Sequence, residues 1–130
     1  MKHARGFTVI EIIFVLVLVS VGFALFVTQK ASVDAAARDD KRKTAINAMY
    51  YNLEEVYYAQ NSYYPQTIDS KTLRAMDPAF FTDPNGNKLG DASSNYRYEP
   101  TDCTHDGQCK GYKLSTSLER EAEYVKNSRR

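Results

Sequence analysis

One carboxylate, Glu11, stands inside an otherwise apolar run from Phe7 to Val27, FTVIEIIFVLVLVSVGFALFV. On the gentlest insertion scale a charged side chain in hydrocarbon costs about 2.5–3.5 kcal/mol, so Glu11 needs a partner or a task. The bland alternative is a carboxylate that snorkels to a nearby interface. A second group is Cys103-Thr104-His105-Asp106-Gly107-Gln108-Cys109. It reads as a disulfide, worth roughly 2.4 kcal/mol for a closed loop of about seven residues. A metal set of Cys103, His105, Asp106 and Cys109 lacks the usual ligand spacing. A third group, Asp83, Asn85 and Asn87, has the odd-numbered spacing of a calcium loop. Over 83–94, however, Lys88 stands where that loop needs glycine, and Ser94 where it needs glutamate. Tight turns at Asp83-Pro84 and Asn85-Gly86 account for the same residues. With histidines only at His3 and His105, and no nucleophile and base pair or phosphate loop, the chain is expected to be no enzyme, with no cofactor and no metal.

These residues need elements to hold them. As a helix, the run of 21 residues spans roughly 31 Å, the thickness of a bilayer's hydrocarbon core. Ahead of it, MKHARG carries Lys2 and Arg5 and resembles the start of a secretory signal. Three fates follow: removal of the whole run at the small residues Ser20, Gly22 and Ala24, retention as a plain anchor, or removal of 1–6 alone. Glu11 argues against the first, because a charge weakens insertion and adds nothing to cleavage. Lys30, Arg38, Lys41, Arg42 and Lys43 on the far flank outnumber Lys2 and Arg5, which by the positive-inside rule points the larger part into the cytoplasm.

Arg5-Gly6-Phe7-Thr8-Val9-Ile10-Glu11 resembles the prepilin processing motif of type IV pilins and of the pseudopilins of type II secretion and competence. The resemblance implies cleavage by prepilin peptidase between Gly6 and Phe7, N-methylation of Phe7, and Glu11 as the assembly glutamate. Cleavage leaves an ammonium on Phe7, about one helical turn from Glu11. In helices stacked with an axial step, that amine can reach Glu11 of a neighbour. At about 4 Å and an effective dielectric of 20 the attraction is roughly 4 kcal/mol before desolvation is subtracted, so Glu11 acts as a register device. Many pilins carry a proline near the position of Thr28, whereas the first proline here is Pro65. A kink or melted segment near Gly22 is therefore not carried over. Gly22 serves equally well for close helix packing.

No Pro or Gly interrupts the chain from Val27 to Asn61, so one helix is expected from about Phe7 to about Gln60, roughly 80 Å long. Ile46, Met49, Tyr50, Leu53, Val56 and Tyr57 recur at spacings of three and four and should pack on a domain. Arg38 to Lys43 interleaves acids and bases and reads as a solvated or intersubunit salt-bridged face. Nucleic acid is a weak partner, because the formal charge of +1 becomes −1 without Lys2 and Arg5.

Asn61-Ser62 and Pro65 break the helix, in a segment that also resembles the helix-to-loop junction of pilins. Ser70–Met76 is expected as a short helix capped by Asp69 or Ser70, with Leu73 and Met76 inward. Strands are expected over Asn95–Glu99 and Gly111–Glu119, the latter alternating Tyr112, Leu114, Thr116 and Leu118 against polar residues. The fold class is α+β and pilin-like: a long N-terminal α-helix, membrane-spanning in its first half, packed in its second half against a small antiparallel β-sheet. Its divisions are a leader at 1–6, a hydrophobic helix at 7–28, its continuation at 29–60, a globular part at 61–119 and a charged tail at 120–130 with little to bury.

The leading expectation is a type IV pilus subunit for adhesion, twitching motility or DNA uptake. Its partners are copies of itself in a helical homopolymer, the peptidase, the assembly platform with its ATPase, minor pilins, and the cytoplasmic membrane before assembly into an extracellular filament. No surface ligand is legible. The alternatives are a pseudopilin and a monomeric membrane-anchored binding module using the tyrosine-rich surface.

Overall fold

The computed structural model of the chain describes residues 6–130. It divides into two compact units, the first ending at Ala35 and the second running Ala36–Arg130. Helix α1 covers Val9–Tyr51, a π-helical turn covers Asn52–Tyr57, and α2 covers Tyr58–Asn61. The expected helix is present and ends at Asn61, but it starts two residues late and widens at Asn52. A π turn sets more residues per turn toward one side than an α turn does. Three consecutive residues, Asn52, Leu53 and Glu54, are buried there as a result.

The chain leaves α2 through Ser62, whose φ of 62° is left-handed, while its N–H bonds the Tyr58 carbonyl at 2.8 Å. This is a helix cap that glycine usually fills, because a Cβ is crowded there. Ser62→Gly should therefore raise the stability of the chain by about 0.5–1 kcal/mol in a denaturant titration.

Four antiparallel strands follow. They are β1 (Tyr64–Pro65), β2 (Tyr96–Cys103), β3 (Gln108–Thr116) and β4 (Tyr124–Asn127). β3 is central: β2 pairs along one side, while β1 and β4 take opposite ends of the other. Pro100 of β2 stands opposite Tyr112 of β3. The β2 and β3 strands begin and end within a few residues of expectation, and Tyr112, Leu114 and Thr116 are buried as expected, but Ser115 on the expected polar face is buried too and Leu118 lies beyond the end of β3. Residues 120–130 differ from expectation, since β4 pairs with β3 and Tyr124 donates to Asn47 Oδ1 at 3.0 Å.

The core joins Ile46, Met49 and Leu53 of the helix to Tyr64, Leu73, Met76, Phe81, Tyr96, Tyr112 and Leu114. Leu73 and Met76 point inward as expected, yet residues 70–76 form turns rather than a helix. Asp69 does act as a cap, its Oδ1 accepting from Lys71 N at 2.9 Å and Thr72 N at 2.8 Å. One turn this short gains too few hydrogen bonds to propagate. A 3₁₀ turn forms instead at Pro78–Phe81, started by Asp77 and Pro78.

Cys103 and Cys109 are bonded to each other and lie opposite one another across β2 and β3. Thr104 to Gly107 closes the hairpin between them, with Gly107 at φ 77°. The paired change Cys103→Ser, Cys109→Ser should cost about 2.4 kcal/mol in chemical denaturation, the entropy that the loop removes from the unfolded chain.

Candidate functional site

Gly6, Phe7 and Thr8 precede the helix without regular structure, and α1 opens at Val9. Thr8 is its N-cap in geometry. The Thr8 carbonyl accepts from Ile12 N at 3.2 Å, the first bond of the helical ladder, and Thr8 Oγ1 accepts from Glu11 N at 3.3 Å. Thr8-Val9-Ile10-Glu11 thus has the spacing of a capping box, with Glu11 at the third helical position. Glu11 lies in the first turn, where the helix dipole favours a carboxylate, and it is exposed. The peptide bond expected to be cut and the glutamate expected to set register are therefore brought within one turn. Residues 1–5 of the expected leader, including Lys2 and Arg5, lie outside the described residues.

Above Glu11 the helix is apolar on every side. The run is long and apolar enough to cross a membrane, with a mean hydropathy of 2.9 and none of it buried within the chain. Phe7 is 76 % exposed, Ile10 77 % and Phe23 69 %. Full burial of one such side chain is worth about 1.5–3 kcal/mol, so the run gains on the order of 30 kcal/mol by entering a membrane or a bundle of like helices. Its few polar groups are closed on themselves. Ser20 donates to the Leu16 carbonyl at 2.8 Å and Thr28 to the Leu25 carbonyl at 2.9 Å, as a hydrocarbon setting demands. Gly22 would admit a side chain without contact, so nothing among the described residues requires glycine there.

In the second unit Arg38, Asp39, Arg42 and Lys43 are committed within the chain, which corrects the expectation of a solvated or intersubunit face for these four, while Asp40 and Lys41 are exposed as expected. Asp39 and Arg42 are buried, at 2 % and 1 % exposure. Arg42 donates to Asp39 at 2.8 Å and to Glu119 at 2.9 Å, while Arg38 grips both oxygens of Glu119. The Asp39 carboxylate also accepts from the backbone N–H groups of Glu119 and Arg120, at 2.9 and 3.0 Å. Lys43 binds Glu121 at 2.7 Å. Burial alone would raise the Asp39 pKa, but the two backbone donors and Arg42 outweigh it and hold the carboxyl below its usual range. Arg38 first, then Arg42, bring Glu119 down to about 2.

A second buried carboxylate lies on the π turn. Glu54, 1 % exposed, accepts from Tyr112 Oη at 2.9 Å, Tyr64 Oη at 3.0 Å and Arg129 N at 3.2 Å. Asp39 and Glu54 thus fasten the two ends of the segment that follows β3. Sequence reasoning missed both. The only signal was Asp39-x-x-Arg42 at a helical spacing within reach of acids at 119 and 121, and nothing along the chain pairs those regions. The tyrosines near Glu54 form a contiguous set, with Tyr58, Tyr64, Tyr112 and Tyr98 in successive ring contact at centroid distances of 4.8–5.6 Å. They are mainly core, with Tyr51 left 62 % exposed.

Asp83, the first residue of the suspected calcium loop, is buried and spends its carboxylate on backbone. It accepts from Asn85 N and Asn87 N at 2.9 Å and from Asn95 N at 3.0 Å. Burial raises its pKa, and these donors overcome that and lower it. It is a loop organiser. Among the described residues no three His, Cys, Asp or Glu side chains gather as metal ligands would. Compared with known protein families, curated proteins and solved structures, the chain matches none.

Proposed function

We propose that the chain is the structural subunit of a type IV pilus. Prepilin peptidase removes residues 1–6, Phe7 becomes the N-methylated terminus, and copies polymerise through their N-terminal helices with Glu11 in register. The subunit waits in the cytoplasmic membrane as a single-pass protein and ends in an extracellular filament. What supports the reading is the conjunction of two features at one end of α1. A wholly exposed apolar helix needs a membrane or like helices around it, and a lone carboxylate sits one turn from a glycine-phenylalanine junction. A plain anchor accounts for the first and leaves Glu11 as an unrepaid cost.

Glu11→Val tests it. Membrane fractionation should find the variant inserted as the wild type is, and electron microscopy of sheared surface material should find its filaments gone. Normal filaments from the variant would sink the reading. Long surface filaments containing the wild-type chain separate a pilin from a pseudopilin.

A further inference from the structure

We propose that Thr8 is a positioning residue for leader removal, holding the Gly6-Phe7 bond outside the helix where a peptidase can bind it; the inference rests on the pilin reading. A scissile peptide must be engaged as open backbone, because a helical turn closes its N–H and C=O groups into the ladder and wraps them in side chains. The run from Val9 onward has nothing in it to stop a helix from growing back through Phe7. Thr8 takes the capping bonds at the point where the helix stops. Its carbonyl takes the first ladder bond from Ile12 N, and its hydroxyl occupies Glu11 N. An N-cap keeps non-helical backbone angles, and every residue before it lies outside the helix. Gly6 and Phe7 are left without helical structure, both of them exposed.

The cap uses the backbone of Glu11 and not its carboxylate. Two functions are therefore separable on adjacent atoms: the Glu11 amide helps place the cut, and the Glu11 side chain serves assembly. Valine matches threonine in shape and lacks the accepting oxygen, whereas serine keeps it.

The experiment uses the full chain in detergent with a purified prepilin peptidase, following loss of the 1–6 mass with time. Thr8→Val should be cut about fivefold more slowly than wild type, the loss expected from a cap of ordinary strength, and Thr8→Ser should stay within about twofold. In the same samples the ¹³Cα shift of Phe7 should move toward the helical value in Thr8→Val and stay in place in Thr8→Ser. Equal cutting of the valine variant, a serine variant as slow as valine, or a Phe7 shift that does not respond overturns the role of Thr8 while leaving the pilin reading intact. A wild-type chain that is not cut between Gly6 and Phe7 overturns both.

Discussion

Asp39→Ala should lower the stability of the chain by about 3–5 kcal/mol, the usual cost of removing one partner from a buried charge pair. The loss has two parts. Arg42, 1 % exposed, keeps only Glu119 as an anionic partner, and its Nε already lacks a hydrogen bond. The N–H groups of Glu119 and Arg120 lose the carboxylate they share. Urea unfolding in detergent, followed by near-ultraviolet circular dichroism, measures the effect. Arg120→Ala is the matched control, since it preserves the backbone donor and should change stability by less than about 0.5 kcal/mol. The same centre sets acid sensitivity. Asp39 and Glu119 have folded pKa values below their unfolded ones, near 4, so their contribution is complete above about pH 5. It drains as the pH falls toward about 2. A wild-type midpoint in urea that stays flat from pH 6 to pH 2 would contradict this.

Glu54→Ala should cost about 3 kcal/mol or more, because three donors, the hydroxyls of Tyr64 and Tyr112 and the N–H of Arg129, lose a buried acceptor together. The tyrosines also give an alkaline signature. Burial first, and then the Glu54 carboxylate, push the Tyr64 and Tyr112 hydroxyls above the ordinary phenol value. A folded pKa above the unfolded one, near 10, means the contribution is complete below that pH and is lost as the pH rises past it. Absorbance near 295 nm should show Tyr64 and Tyr112 ionising only in a cooperative step, as the core opens. A single smooth titration of every tyrosine near pH 10 would refute the cage around Glu54.

What the chain discloses before folding depends on how far each interaction reaches along it. The apolar run, the uninterrupted helix to Asn61, the pairing of Cys103 with Cys109 and the inward Tyr112, Leu114 and Thr116 all rest on neighbours or fixed periods. They are legible for that reason. The π turn was not, because nothing in Asn52-Leu53-Glu54-Glu55-Val56-Tyr57 marks it. Burial of Glu54 follows from donors contributed by residues 10, 58 and 75 positions away. Arg38, Asp39, Arg42 and Lys43 misled for the same reason: a mixed-charge helix face looks solvated until residues 119–121 arrive to occupy part of it. Asp69 shows the opposite case, in which correct local chemistry lacked a helix to start.

Pro100 carries a consequence of its own. The Tyr112 carbonyl takes its bond from Ser128 N, on the side of β3 away from β2, so at this position the two strands turn their polar groups away from each other. The imide nitrogen of Pro100, directly opposite, faces outward along the margin of the sheet, where no further strand is paired among the described residues. It therefore removes a donor from the outer edge of β2, an edge on which a stray segment could lengthen the sheet, and sacrifices no bond to β3. Where many such domains crowd together, strand addition at the β2 edge, a route to cross-β aggregates, is then disfavoured.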